Sequence, residues 1–282
     1  MDNSKVKFNI IKSKLMQGLI VGLSFVCILP LLFILIYIVK SGIGVINWNF
    51  ITNIPKPVGE IGGGIANALI GTLIIIVFAS IFAVPIGILC GIYLNENKNS
   101  KVAYWTGLCV DVLQGIPSIV IGIVAYFWLV KPLGGFSALS GSIALAIMML
   151  PIIIRSTEET LKMIPNSLRE AAYALGMPSQ RVLMRVIVPT GFNGIISGVM
   201  LAVARVSGET APLLFTAFGN PFKEYSIFKP MQSLPLLIFN YATSPYKDWQ
   251  DLAWGASLIL LILVLSLNLL TKFFTRKWKV QL

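Results

Sequence analysis

No charged residue interrupts the chain from Leu15 to Val39 or from Ala66 to Leu94, and four further predominantly apolar stretches follow. Backbone amides and carbonyls find no water in hydrocarbon, so such stretches must satisfy them internally, as an α-helix does. At 1.5 Å per residue, about 20 residues cross a core about 30 Å thick. The chain is therefore expected to be an all-α integral membrane protein with six transmembrane helices. With 56% hydrophobic and only 12% charged residues, a globular domain would lack a polar surface.

The first span is expected from about Leu15 to Val39 and the second from Ala66 to Leu94, joined by a Gly-rich, Pro-containing segment. The third runs from Val102 to Val130 and is interrupted at Gln114-Gly115-Ile116-Pro117-Ser118, where a bend or unwound stretch is expected because proline removes a backbone donor. The fourth spans Phe136 to Ile154, the fifth Gly191 to Ala217 and the sixth Leu252 to Phe274. The basic N-terminus ahead of the first run looks like a signal peptide, but the apolar run continues to Val39 without a small-residue cleavage site, which predicts a retained span.

The net charge of +11 raises the possibility of nucleic acid, but the basic residues follow membrane sidedness instead. With the N-terminus inside, the inner segments hold Lys5, Lys7, Lys12, Lys14, Lys98, Lys101, the five basic residues from Arg155 to Arg185, and Lys272, Arg276, Lys277 and Lys279. The outer segments hold Lys40, Lys56, Lys131, Lys223, Lys229 and Lys247. Both termini are therefore expected to be cytoplasmic. Trp48, Trp105, Trp128, Trp249 and Trp278 fall near the proposed interfaces, as an aromatic belt would place them. Cys27, Cys90 and Cys109 lie in apolar sequence without metal-ligand spacing, which predicts three buried free thiols. Glycines four apart, Gly18 with Gly22, Gly87 with Gly91 and Gly194 with Gly198, suit close helix packing.

Two opposite charges stand in the fifth stretch, at Ala204-Arg205-Val206-Ser207-Gly208-Glu209-Thr210-Ala211-Pro212. A charge at the bilayer centre costs roughly 2.5 kcal/mol or more, so it faces a partner or a watery path. Four residues apart, Arg205 and Glu209 would share one face of a continuous helix and can pair, with Gly208 and Pro212 weakening the ladder beside them. Two readings stay open: a conduction element, or an ion pair that locks helices together. Asp111 is a third candidate; if the segment from Lys101 to Gln114 lies along the inner interface, it is simply wet.

The loop between spans four and five, from Arg155 to Pro189, reads as two short helices. Asn166 or Ser167 can cap the first, Gly176 with Pro178 stops it, and Ser179 can cap the second. It is either an ordinary connection or a helix pair that fits another protein's groove. Its residues Glu170-Ala171-Ala172, then Gly176, then Val186-Ile187-Val188-Pro189 resemble the coupling motif of binding-protein-dependent ABC importer permeases, which is Glu-Ala-Ala, three residues, Gly, nine residues and Ile-x-Leu-Pro. Val186 and Val188 are mild departures. The resemblance implies a type I, MetI-like permease fold in which Glu170, Ala171, Ala172, Gly176 and Pro189 form the contact with a separate ATPase.

Ser207 to Ala217 and Gly115-Ile116-Pro117-Ser118-Ile119-Val120-Ile121-Gly122 are similar to the A-type permease subunits of phosphate ABC importers, a similarity covering most of the chain from the second span to the sixth. It implies translocation of inorganic phosphate with a homologous permease subunit, cytoplasmic ATP-binding subunits and an extracytoplasmic phosphate-binding protein. It also implies substrate-pathway roles for Arg205 and Glu209. Residues 1–14 are then a cytoplasmic segment and 15–282 one transmembrane permease domain carrying the coupling loop at 155–189.

Neither a cofactor, a metal site nor nucleic acid is expected, and lipid surrounds the spans. With no Gly-x-x-x-x-Gly-Lys-Ser/Thr loop and no histidine, ATP hydrolysis is expected on a partner chain, so the chain is not itself an enzyme. The rival readings are a permease for another oxyanion, such as molybdate or sulfate, and an ion-coupled secondary transporter, for which inverted repeats would speak.

Overall fold

The computed structural model describes residues 3–60 and 62–277. Trp278, placed above near an interface, and Lys279, assigned above to the inner side, lie outside those residues. In chain order the elements are α1 (Asn3–Gly42), α2 (Trp48–Thr52), α3 (Ala66–Glu96), α4 (Lys101–Gly115), α5 (Ser118–Ala125), a π turn (Tyr126–Val130) and α6 (Lys131–Leu133). These lead to α7 (Ala138–Lys162), α8 (Asn166–Ala174), α9 (Ser179–Val182), a second π turn (Leu183–Ile187), α10 (Val188–Val206), α11 (Ala211–Thr216), α12 (Leu234–Ala242) and α13 (Lys247–Lys277). Among the described residues there is no strand, only an isolated bridge between Phe218 and Met231.

Five continuous helical stretches are long and apolar enough to cross a membrane: Lys12–Gly42, Ala66–Glu96, Ala138–Lys162, Ser179–Val206 and Lys247–Leu270. The expected third span is instead a pair of helices, Lys101–Gly115 and Ser118–Leu133, bent by 106°. The interruption falls where Pro117 stands at the N-cap of α5, since a proline there cannot continue the hydrogen-bond ladder of α4.

The core lies where α3, α7, α10 and α11 meet, around Ile75, Ala79, Ala83, Leu145, Met149, Ile153, Val203 and Leu213. In a membrane this packing draws on van der Waals contact more than on water exclusion, so small residues at crossings matter. A Cβ at Gly87 would lie 2.7 Å from Ile153 Cγ2, and one at Gly91 would lie 2.7 Å from both Ile154 O and Thr157 Cβ. Gly194 and Gly198 meet Thr160 and Ser156 of α7 in the same way. Gly18 and Gly22 depart from that pattern, since a Cβ at either would meet no other helix among the described residues.

The opposite end of α3 is anchored to irregular backbone. Buried Asn67 donates to Asn220 O at 2.8 Å and to Pro221 O at 3.1 Å, and Thr72 Oγ1 accepts from Leu234 N at 2.8 Å. The segment between α1 and α3 closes back on itself through Ile65 N to Phe50 O and Ala66 N to Asn53 O.

Several expectations need correction. The helix of the fourth apolar stretch runs on past Ile154 to Lys162, where Arg155 finds carboxylate partners. The N-caps of α8 and α9 are Pro165 and Pro178, extended at φ −60° and −68°, and neither Asn166, Ser167 nor Ser179 supplies a capping side chain. The three cysteines are free, but Cys27 and Cys109 are exposed on this chain and Cys90 is half-buried, since α1 and α4 turn apolar faces outward.

Candidate functional site

The charged sequence at the end of the fifth stretch does not form one helix. α10 stops at Val206, and α11 begins at Ala211 with Pro212 in its first turn. A continuous helix would require Pro212 to donate to the carbonyl of Gly208, which it cannot do, while glycine favours the release. The chain between is held by short-range bonds: Ser207 Oγ donates to Val203 O at 2.6 Å, Glu209 N to Val206 O at 3.1 Å, and Leu214 N to Thr210 O at 3.1 Å. Arg205 is exposed, Glu209 is half-buried, and no ion pair joins them among the described residues. The expected Arg205–Glu209 pair is thus corrected, because the break removes the helical phase that four-residue spacing assumes.

Two interrupted segments are brought side by side at this place. A Cβ on Gly122 of α5 would lie 2.8 Å from Pro212 Cα and 3.3 Å from Ala211 O. On the other side, Gly141 of α7 lies against Leu213, Thr216 and Ala217. α11 is therefore wedged between α5 and α7, next to two breaks that leave backbone polar groups off the helical ladder. Irregular backbone at membrane depth is tolerated where it is buried in protein or lines a watery cavity.

A second charged cluster escaped the sequence reading. Arg155 Nε donates to Asp111 Oδ1 at 2.9 Å, Nη1 to Glu158 Oε2 at 2.6 Å, and Nη2 to the carbonyl of Gly107 at 2.9 Å. The guanidinium thereby ties α4 to α7 beside an open pocket of about 340 Å³ that also takes in Lys98, Tyr104 and Lys162. Asp111 is 59% exposed at its side chain on this chain, and it is paired with Arg155. Arg155 and Glu158 stand three apart, a visible helical spacing once the helix runs past Ile154. The 44-residue separation to Asp111 offered no such signal.

The loop motif is displayed on short elements at one end of the bundle. On α8, Ala172 is buried with Leu161, Ile164, Val182, Ile187 and Ile195, whereas Glu170 and Ala171 are exposed. Gly176 ends the helix at φ +75°, the left-handed conformation that favours glycine. Pro189 follows the second π turn, in which Val188 N bonds Leu183 O, so the chain enters α10 with its spacing reset around the missing proline donor. Met163, Tyr173, Leu175 and Met184 are exposed nearby, an apolar rim on a polar loop.

Arg169, one residue before Glu170, points the other way. It forms a two-pronged pair with Glu96, the last residue of α3, at 2.7 and 3.0 Å. The hydrogen bonds to Glu96 hold the Arg169 guanidinium above its ordinary pKa range. Their 73-residue separation left this pair invisible in the sequence. Among the described residues, no group of His, Cys, Asp and Glu is arranged to hold a metal ion.

Residues 83–280 match the family model described as binding-protein-dependent transport system inner membrane component. The chain is 42% identical over 250 residues to the phosphate transport system permease protein PstA of Yersinia pestis, covering 88% of this chain and 85% of that one. It is 39% identical over 282 residues to the protein of the same name from Pasteurella multocida, covering 99% and 100% respectively. Among solved structures it resembles an inward-facing MetNI methionine ABC transporter, with a TM-score of 0.62 at 18% identity over 77% of this chain and 94% of that one. An amino acid ABC transporter gives a TM-score of 0.57 at 20% identity, covering 75% and 92%. At those identities the likeness bears on the fold alone, and it is a likeness to ABC transporter subunits.

Proposed function

The chain belongs to the family of binding-protein-dependent transport system inner membrane components, and from that premise we propose that it is a permease subunit of an ATP-driven importer of inorganic phosphate. The observation that carries the substrate is near-full-length similarity, about 40% identical, to proteins named as phosphate transport permeases in several bacteria. The family works with an ATPase and a substrate-binding protein carried on other chains. Pairing with a homologous permease, in a single transmembrane domain from residue 15 onward with both termini cytoplasmic, is the finer part of the proposal. The distribution of basic residues supports that sidedness.

In this reading the loop at 155–189 docks on the ATPase through α8. Glu170 and Ala171 face outward to make the contact, Ala172 roots the helix in its apolar cluster, and Gly176 and Pro189 set the two turns. Arg205 and Glu209 belong to the substrate pathway. A phosphate dianion cannot cross hydrocarbon bare. The exposed Arg205 guanidinium supplies a transient attraction, and nearby Glu209 keeps the local potential low enough for phosphate to leave, as selective pores require.

The test is the ATPase activity of the assembled complex in nanodiscs, challenged with the binding protein and single oxyanions. Stimulation by phosphate alone is the expected result. Stimulation by sulfate or molybdate in place of phosphate would keep the machine and discard the cargo.

A further inference from the structure

We propose that the Arg169–Glu96 pair is a positioning strut that carries displacement of α8 directly into α3. This rests on the reading of the chain as an ATP-driven permease. α8 is held to the rest of the molecule in two physically different ways. Ala172 and the partly buried Leu168 sit in an apolar cluster with residues of α3, α7, α9 and α10, Ile88 and Ile92 of α3 among them, a contact that is non-directional and lets a helix slide or tilt. The guanidinium–carboxylate fork is directional. Nη1 donates to Oε2 and Nη2 to Oε1, so the pair resists rotation as well as separation.

The position of the two residues suits transmission. Successive residues on a helix lie about 100° apart, from 3.6 residues per turn, so Arg169 faces inward while Glu170 faces outward. The residue that meets the proposed ATPase and the residue that meets α3 are thus neighbours on one rigid turn. Glu96 is itself held, since Asn95 Nδ2 donates to its Oε1 at 3.1 Å and Asn95 is buried. The paired side chains of Arg169 and Glu96 are only 20% and 27% exposed, so solvent weakens the fork less than it would a surface pair.

α3 then behaves as a rod. It runs as one helix for 31 residues, with Pro85 removing a single backbone hydrogen bond inside it, about 45 Å at 1.5 Å per residue. Along its length it is pressed against α7 at Gly87 and Gly91. At its far end Asn67 and Thr72 hold the backbone of Asn220, Pro221 and Leu234, in and beyond the connection that follows α11. A push on α8 through the fork therefore reaches the connection that follows α11 along a single helix.

The experiment uses the complete complex with its ATPase and binding protein in proteoliposomes, measuring phosphate taken up per ATP hydrolysed and co-purification of the ATPase. For Arg169→Ala and Glu96→Ala, the ratio is expected to fall about tenfold, within the usual range of coupling between sites, while the ATPase still co-purifies and still hydrolyses ATP. The charge swap Arg169→Glu with Glu96→Arg is expected to recover a substantial part of the ratio. A wild-type ratio in the single variants, a proportional loss of uptake and hydrolysis, or a swap no better than the singles would each overturn the strut. The wild-type complex in the same preparation separates the two levels: if it shows no ATP-dependent phosphate uptake, the functional reading fails instead.

Discussion

At the scale of single residues, two arginines in apolar surroundings have opposite situations. Arg155 is saturated, with Asp111, Glu158 and the Gly107 carbonyl around it, while Arg205 is exposed and has no ion pair among the described residues. A saturated guanidinium is structural first. Arg155→Gln strands Glu158, whose side chain is only 20% exposed, and is expected to cost about 2–4 kcal/mol, somewhat below a fully buried pair. Asp111→Asn removes a largely exposed partner and is expected to cost under about 1 kcal/mol. Thermal unfolding of the solubilised chain orders the two, and equal costs would contradict this ranking. Arg205→Ala is expected to leave assembly and ATP hydrolysis intact while lowering phosphate uptake at least about tenfold, the scale of one lost charge-assisted contact; uptake assays with co-purification check it. The charges at 205 and 209 stood out in the sequence because charge is rare in such a segment, but their supposed pairing did not survive the helix break. Glu96, Asp111, Arg155 and Arg169 form pairs between positions 44 and 73 apart, and only the fold reveals such partners.

At the scale of elements, proline and glycine positions forecast the interruptions better than their consequences. The bend at Gln114 to Ser118 was legible from Pro117, but its 106° size depends on the Arg155 tether and on the seat of α5 against α11. Glycine spacing was legible too, yet spacing alone does not distinguish glycines that meet a neighbour from glycines that do not. Gly91→Val is expected to cost about 1–3 kcal/mol or more through overpacking against α7, whereas Gly18→Ala is expected to leave the fold of the isolated chain unchanged. The yield of monodisperse, helical protein measures both. In the connection after α11, Glu224 accepts from the backbone N–H of Ser226 and of Tyr225 and pairs with Lys229 at 3.3 Å. The Ser226 hydrogen bond leads the effects that lower its pKa below the ordinary glutamate value. A depressed folded-state pKa gives stabilisation that is present above the unfolded pKa and lost as pH falls through the folded one. The Ser226 amide is therefore expected to stay protected against exchange through mildly acidic pH and to lose protection only below the usual glutamate range.

At the scale of the whole molecule, the chain leaves a long apolar surface uncovered. α1 meets the rest of the described chain chiefly along α13, with Tyr37 edge-on to Trp254 at 4.9 Å and Gly42 placed where a Cβ would lie 2.8 Å from Trp254 O. Most of its apolar side chains remain exposed from Leu15 to Val39. Lipid or another subunit must cover surface of that extent. The all-helical membrane architecture was legible in the length and uniformity of the apolar runs, and the membership of the transport family in the spacing of Glu170, Ala171, Ala172, Gly176 and Pro189. What links these parts mechanically, the fork from α8 to α3 and the clasp from α7 to α4, depends on contacts that no local pattern encodes.

The most direct measurement is radiolabelled phosphate uptake in proteoliposomes holding this chain with the proposed partner permease, ATPase and binding protein, energised by ATP in one arm and by a sodium or proton gradient in the other. ATP-dependent uptake, absent with the gradient and absent when the ATPase is left out, is the result this account predicts. Uptake driven by a gradient with this chain alone would contradict it.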